Sequence, residues 1–198
     1  MSETNDKQTT EVGWERIAAE ASSLFLRNGY KTVGQRDIAD ALGIKAASLY
    51  HHCPKGKAQL FERSVLWRLA RIEEQLRGAL SSCETLEETL TALVQVLRLH
   101  PVIDEGRLST VDVGHLSDDS AERVMGVLHQ CLLGPFVDAL DQYEGLRDDV
   151  ETVTAAVSFL AAVDVWLRHA GDDAELPAAI PQLVQLFVRG LQSELQGS

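Results

Sequence analysis

Cysteine is scarce in this 198-residue chain. Cys53, Cys83 and Cys131 are odd in number, lie far apart and form no C-x-x-C pair. That usage argues against a disulfide framework and against a structural zinc site, and it fits a reducing cytoplasm. Long apolar runs are also missing. The longest, near residues 153–167, is broken by Asp164 and falls short of the roughly 20 residues that a membrane span needs. The opening MSETNDKQTT has no apolar stretch, so no secretory signal is expected, and residues 1–10 read as a disordered arm. No segment alternates apolar and polar residues strictly enough for a half-buried strand. G-x-S-x-G, a phosphate loop and H-E-x-x-H are absent, and the scattered histidines form no H-x-x-x-H pair. The expectation is a cytoplasmic protein that is not an enzyme and has no metal and no cofactor.

Positive charge is in short supply, with 18 Lys and Arg against 30 Asp and Glu, and it is unevenly spread. Residues 1–77 hold 12 basic and 10 acidic residues, whereas residues 78–198 hold 6 and 20. Only the first part suits a polyanionic partner. Acidity elsewhere does not forbid such a partner, since physiological salt screens charges beyond about 8 Å.

What is present is helix almost throughout. The first helix is expected over about Glu11–Asn28, with Ile17, Ala21, Leu24 and Phe25 on one stripe and Gly29 ending it. Two short helices follow, Gln35–Leu42 and Ala46–His52, separated by LGIK. Pro54 and Gly56 then precede a long helix over about Lys57–Leu80. Leu86, Leu90, Leu93, Val94 and Leu97 mark another, closed by Pro101. Residues 101–117 read as irregular or a short helix. Beyond them, helices are expected over about Asp118–Tyr143, kinked at Gly134-Pro135, then Arg147–His169 and Glu175–Gln196.

The penultimate helix is apolar nearly all round and must be covered on more than one side. A partner copy supplies that cover if Val153, Val157, Phe159, Leu160, Val163 and Leu167, with Leu183 and Phe187 of the last helix, form a four-helix bundle between two chains. The other arrangement is two interior helices of a monomer.

The stretch GIKAASLYHHCPKGK, residues 43–57, gathers lysines, two histidines, a tyrosine and small residues. Two short helices about a tight glycine turn make a helix-turn-helix, whose second helix enters the DNA major groove. Leu49 anchors that helix inward and leaves Lys45, Ala46, Ala47, Ser48, Tyr50 and His51 outward. The alanines permit close approach and methyl contact with thymine, while the hydroxyls and charges suit phosphate. Lys57, beside the amides that open the long helix, offers a further charge to phosphate, and Gln35 and Arg36 join the DNA-facing set. His52 is expected to pack inward, and Cys53 to be a small core residue.

The run RDIADALGIKAASLYHHCPKGKAQL resembles the TetR family of bacterial transcriptional regulators, through Ile38, Ala39, Gly43, Ile44, Leu49, Tyr50, His52, Lys57 and Leu60. AAEASSLFLRNGYKTV resembles that family's first helix, with Phe25, Gly29 and Tyr30 in place. The resemblance covers about the first 60 residues. It implies an all-α protein: a three-helix DNA-binding domain, a connecting fourth helix, and a larger helical domain that dimerises and usually holds an effector. On that pattern residues 11–55 are the DNA-binding domain and 56–198 the effector-binding and dimerisation domain. Three positions depart from it. Lys45 stands where a serine cap is usual, Cys53 replaces an aromatic, and Gly34 replaces a Ser or Thr, so Thr32-x-x-Gln35 is the candidate capping box.

The implied function is a homodimeric repressor on palindromic operator DNA, released by a small-molecule effector. Trp67, Met125, His129, Phe136, Phe159, Asp164 and Trp166 are candidates for its pocket and equally for core. Asp164 falls on the apolar stripe and needs a salt-bridge partner or a cationic ligand. Two other readings are the same fold without an effector and a helical carrier or enzyme that has lost DNA binding.

Overall fold

The structure is a computed structural model that describes residues 13–100, 108–170 and 179–192. In chain order its helices are α1 (Trp14–Asn28), α2 (Gln35–Leu42), α3 (Ala46–His52), α4 (Lys57–Leu80), α5 (Leu86–Arg98), α6 (Asp118–Asp141), α7 (Thr152–Ala170) and α8 (Ala179–Leu191). Between α5 and α6 a π-helical turn, Leu108–Asp112, runs into a 3-10 turn, Val113–His115. Among the described residues the sole β pairing is an isolated bridge between Leu146 and Gln192. The fold is all-α, as the periodicity implied.

The short helices end where the backbone demands it. Gly43 takes the left-handed conformation (φ +67°), and its N–H and that of Ile44 return to the Ala39 and Asp40 carbonyls that α2 leaves open. At the front of α2 the cap is Gly34, whose N–H donates to Asp37 Oδ2 at 2.6 Å. The capping box expected at Thr32-x-x-Gln35 is therefore not the one used. Lys45 stands at the front of α3 with no side-chain cap. Thr85 and Glu88 do form a full capping box at α5: Glu88 N–H donates to Thr85 Oγ1 and Thr85 N–H to Glu88 Oε2.

The connecting helix α4 carries the core. Leu60, Phe61, Val65, Leu69, Ile72 and Leu76 are buried along its length, against α1 near its start and against α5 and α6 further on. Polar ties repeat along the α4–α6 seam. Glu62 accepts from Arg123 at 2.8 Å and Ser120 at 2.9 Å, and Arg77 bridges Glu73 (3.0 Å) and Asp138 (2.9 Å). The Cys131 thiol donates to Glu73 (3.2 Å), and burial, with that carboxylate, pushes it up to about 12.

Several expectations need correction. Helix α7 begins at Thr152, not Arg147: Arg147 N–H donates to the Leu191 carbonyl (3.0 Å) and Leu146 bridges Gln192, so this backbone is committed to the end of α8. Helix α6 stops at Asp141 rather than Tyr143 and runs through Pro135. Glu11, Val12, and the expected helical residues 175–178 and 193–196 lie outside the described residues. In α7, Phe159 and Val163 are fully buried, Phe159 against Phe136 (centroids 5.8 Å apart) and Phe187 (4.9 Å). They belong to the chain's own core and not to an outward face. Val153 and Val157 do face outward, each 47% exposed, beside half-buried Leu160 and Leu167; Leu183 and Phe187 are half-buried on α8.

Candidate nucleic-acid interface

Helix α3 is pinned by one residue and free on its other side. Leu49 is fully buried, while Lys45, Ala47, Tyr50 (52%) and His51 are exposed, and Ala46 and Ser48 are half-buried. Positions 47, 50 and 51 are three and four apart, so they share one outward face. Arg36 on α2 is exposed. Gln35 is half-buried, its Nε2 shielded from solvent and without a partner.

The far end of α3 is held by Arg63 of α4. Its guanidinium lies 4.1 Å from the Trp14 ring, donates to the His52 carbonyl and reaches Cys53 Sγ at 3.8 Å. One side chain thus gathers α1, α3 and α4. A carbonyl that the last turn of α3 leaves unpaired is satisfied by a cation, which also suits the helix dipole. His52 is half-buried with its ring 6.3 Å from Trp14, and Cys53 is fully buried, its thiol raised chiefly by burial.

Lys57 is less free than its sequence position implies. Its ammonium stands 4.4 Å from the centre of the Tyr30 ring and 3.5 Å from the Lys31 carbonyl, and the residue is half-buried. Burial lowers its pKa, and the nearby Asp37 carboxylate acts in the opposite direction. Tyr30 is itself tied to the rest of the molecule. Its N–H donates to Asp112 Oδ1 at 2.8 Å, and its ring stacks on His115 (5.1 Å) and meets Phe61 edge-on (5.2 Å). Sequence reasoning gave Tyr30 no role beyond the family pattern and did not single out Asp112 or Arg63. No local signal links Tyr30 to a carboxylate 82 positions away.

A second cation ties α4 to α1. Arg68 donates to Ser22 Oγ (3.1 Å) and the Ala19 carbonyl (3.0 Å), and burial lowers its pKa. His100 is hydrogen-bonded to Gln75 Oε1 through Nε2 (2.8 Å), and its Nδ1 is buried without a partner. Burial and the positive charge of Arg68 bring its pKa down to about 4.

The residues expected around an effector differ in their burial. Phe136 and Phe159 are packed ring to ring, Trp67, Met125 and Asp164 are half-buried, and His129 and Trp166 (41%) are exposed. An open groove where α4 meets α5, lined by Ala79, Cys83, Glu88 and Ala92 among others, includes none of them. Among the described residues no three His, Cys, Asp or Glu side chains cluster so as to hold a metal ion, and no helix is long and apolar enough to cross a membrane.

Two short helices at a glycine turn, the second exposed beyond a single apolar anchor, define the helix-turn-helix class. Comparison with known proteins narrows that class. Residues 17–63 match the family described as bacterial regulatory proteins, tetR family. The HTH-type transcriptional repressor KstR2 of Mycolicibacterium smegmatis is 41% identical over 70 residues, covering 33% of this chain and 34% of that protein. The HTH-type transcriptional regulator LmrA of Bacillus subtilis is 30% identical over 83 residues, 42% of this chain and 44% of that one. These matches thus span between a third and a half of the relatives' own length. A TetR transcriptional regulator from Legionella pneumophila superposes with a TM-score of 0.69 at 20% identity over 94% of this chain and 98% of its own. FadR of Bacillus subtilis, solved with stearoyl-CoA, gives 0.62 at 15% identity over 90% and 99%. The match to the tetR family is thus confined to the helix-turn-helix segment, residues 17–63, while the whole chain shares the all-helical fold of these solved regulators.

Proposed function

We propose that the protein is a DNA-binding transcriptional regulator that acts as a homodimeric repressor. The observation that carries this reading is the free outward face of α3, where Lys45, Ala47, Tyr50 and His51 stand beyond a buried Leu49. Small side chains admit the helix to the major groove, and Tyr50, Ser48, Lys45 and Lys57 supply donors for base edges and phosphates, with Arg36 alongside. Two copies paired through α7 and α8 present two such helices to half-sites about 34–36 Å apart. Val153, Val157, Val165 and Leu186, between 47% and 68% exposed, support that pairing. Large apolar side chains left exposed on two packed helices suit an interaction site.

Release by a small-molecule effector completes the reading. A coupling of about 1–3 kcal/mol suffices for a 5- to 150-fold change in DNA affinity. The fold favours it, since α4 starts at the DNA-facing end and ends in the body. Selecting bound fragments from a random duplex pool tests the function. The expected result is an enriched near-palindrome with half-sites one helical turn apart or a multiple of it; a pool without enrichment contradicts the proposal.

A further inference from the structure

The contact between Tyr30 and the turn at residues 108–115 joins the DNA-binding domain to the body at a point that the fold alone does not require. Asp112 is only 2% exposed, although it is a carboxylate. A buried carboxylate needs donors, and one of them is the Tyr30 N–H just past the end of α1, which no helix carbonyl pairs. His115, from the same turn, stacks on the Tyr30 ring. The ring in turn stands beside the Lys57 ammonium at 4.4 Å, a distance at which a cation is attracted to an aromatic face. Body turn, ring and lysine therefore form one continuous chain of contacts.

We propose that Tyr30 is a positioning residue: held by Asp112 at its backbone N–H and by His115 at its ring, it sets where the Lys57 ammonium stands, so that a shift of the 108–115 turn changes the grip of Lys57 on DNA phosphate. This rests on the reading of Lys57 as a phosphate contact. An ammonium has three donors, and the Lys31 carbonyl is within reach of one of them. The remaining donors stay available to a phosphate while the ring holds the group in place, so less side-chain freedom is lost on binding. Anything that moves the turn acts on the lysine without touching α3.

The test uses a mixed-sequence duplex of about 30 base pairs at low salt, because a phosphate contact is independent of sequence. Affinity and its salt dependence are measured by fluorescence anisotropy for the full-length protein, Tyr30→Leu, Tyr30→Phe, His115→Ala, Lys57→Ala, and the double variants with Lys57→Ala. Tyr30→Leu is expected to lose about 5-fold in affinity, and the slope of log K against log salt should fall by about 0.9. Tyr30→Phe keeps the ring and should bind like the parent. His115→Ala, a change at an exposed side chain that leaves folding intact, should lose about 2-fold. In the Lys57→Ala background both losses should disappear. If Tyr30→Leu or His115→Ala weakens binding equally with and without Lys57, the positioning role is wrong. If Tyr30→Leu melts early, the His115→Ala pair decides alone. Should Lys57→Ala itself bind like the parent, the phosphate reading fails; a weakened Lys57→Ala with independent losses removes only the role of Tyr30.

Discussion

Two pairs of helices in this molecule treat their outward faces in opposite ways. Helices α2 and α3 bury Ile38, Ala39, Leu42 and Leu49 and turn lysine, arginine, tyrosine and histidine to solvent. Helices α7 and α8 also bury a complete set, from Ala155, Phe159 and Val163 to Ile180 and Val184, yet still leave Val153, Val157 and Leu186 outside. The first pair is complete within one chain and open to a polar partner. The second is satisfied inside and still apolar outside, as the proposed pairing of two copies requires. The charge division follows the same line, since the basic residues concentrate in the first 77 positions.

The comparison can be broken most forcefully on the outward side of α7 and α8. Val157→Glu combined with Leu186→Glu is expected to convert dimers to monomers in sedimentation while the helical signal stays; an unchanged dimer mass contradicts the pairing. The inward side gives the converse. Phe159→Ala should cost about 3–5 kcal/mol in chemical denaturation, as for large aromatic truncations in a core. A loss below about 1 kcal/mol would mean that the ring packs less tightly than its burial implies.

Gly43→Ala probes the turn that sets α3. Nothing lies within 4 Å of the added methyl, so only the positive φ resists it. The expected cost is about 1–2 kcal/mol in thermal melting, and a neutral change would show that the turn adapts. A further test concerns pH. His100 titrates at about 4 in the fold and near 6.5 when unfolded. The unfolded chain therefore binds the extra proton first, and stability should decline as pH falls from about 6.5 towards 4. His100→Gln should flatten that decline in melts across this range; an identical profile would assign the acid sensitivity to other groups.

Much of this was legible in the chain itself. The end of α2, the start of α3 and the start of α4 follow from local punctuation at Gly43, Pro54 and Gly56, where the backbone rather than tertiary packing decides; the cap at Gly34 did not show in the sequence, which pointed to Thr32 instead. The start of α7 was not legible. RDDVE reads as a helix opening, but Arg147 is held by Leu191 from the far end of α8. Nor was the division of the α7 faces: a helix apolar all round does not say which side its own chain covers until α6 and α8 are placed. The exposed side of α3 was recoverable from Leu49 and the helical period. The tie from Lys57 through Tyr30 to Asp112 was not, because it depends on packing across the whole core.

The claim that the exposed side of α3 reads DNA is tested most directly at Ala47, which is exposed and can change without disturbing the core. Ala47→Glu places a negative charge against the groove. Affinity for a fragment selected by the parent protein should fall at least about 100-fold, the size of two or more lost base contacts, with melting temperature and dimer mass unchanged. Parent-like affinity for that fragment would contradict the account.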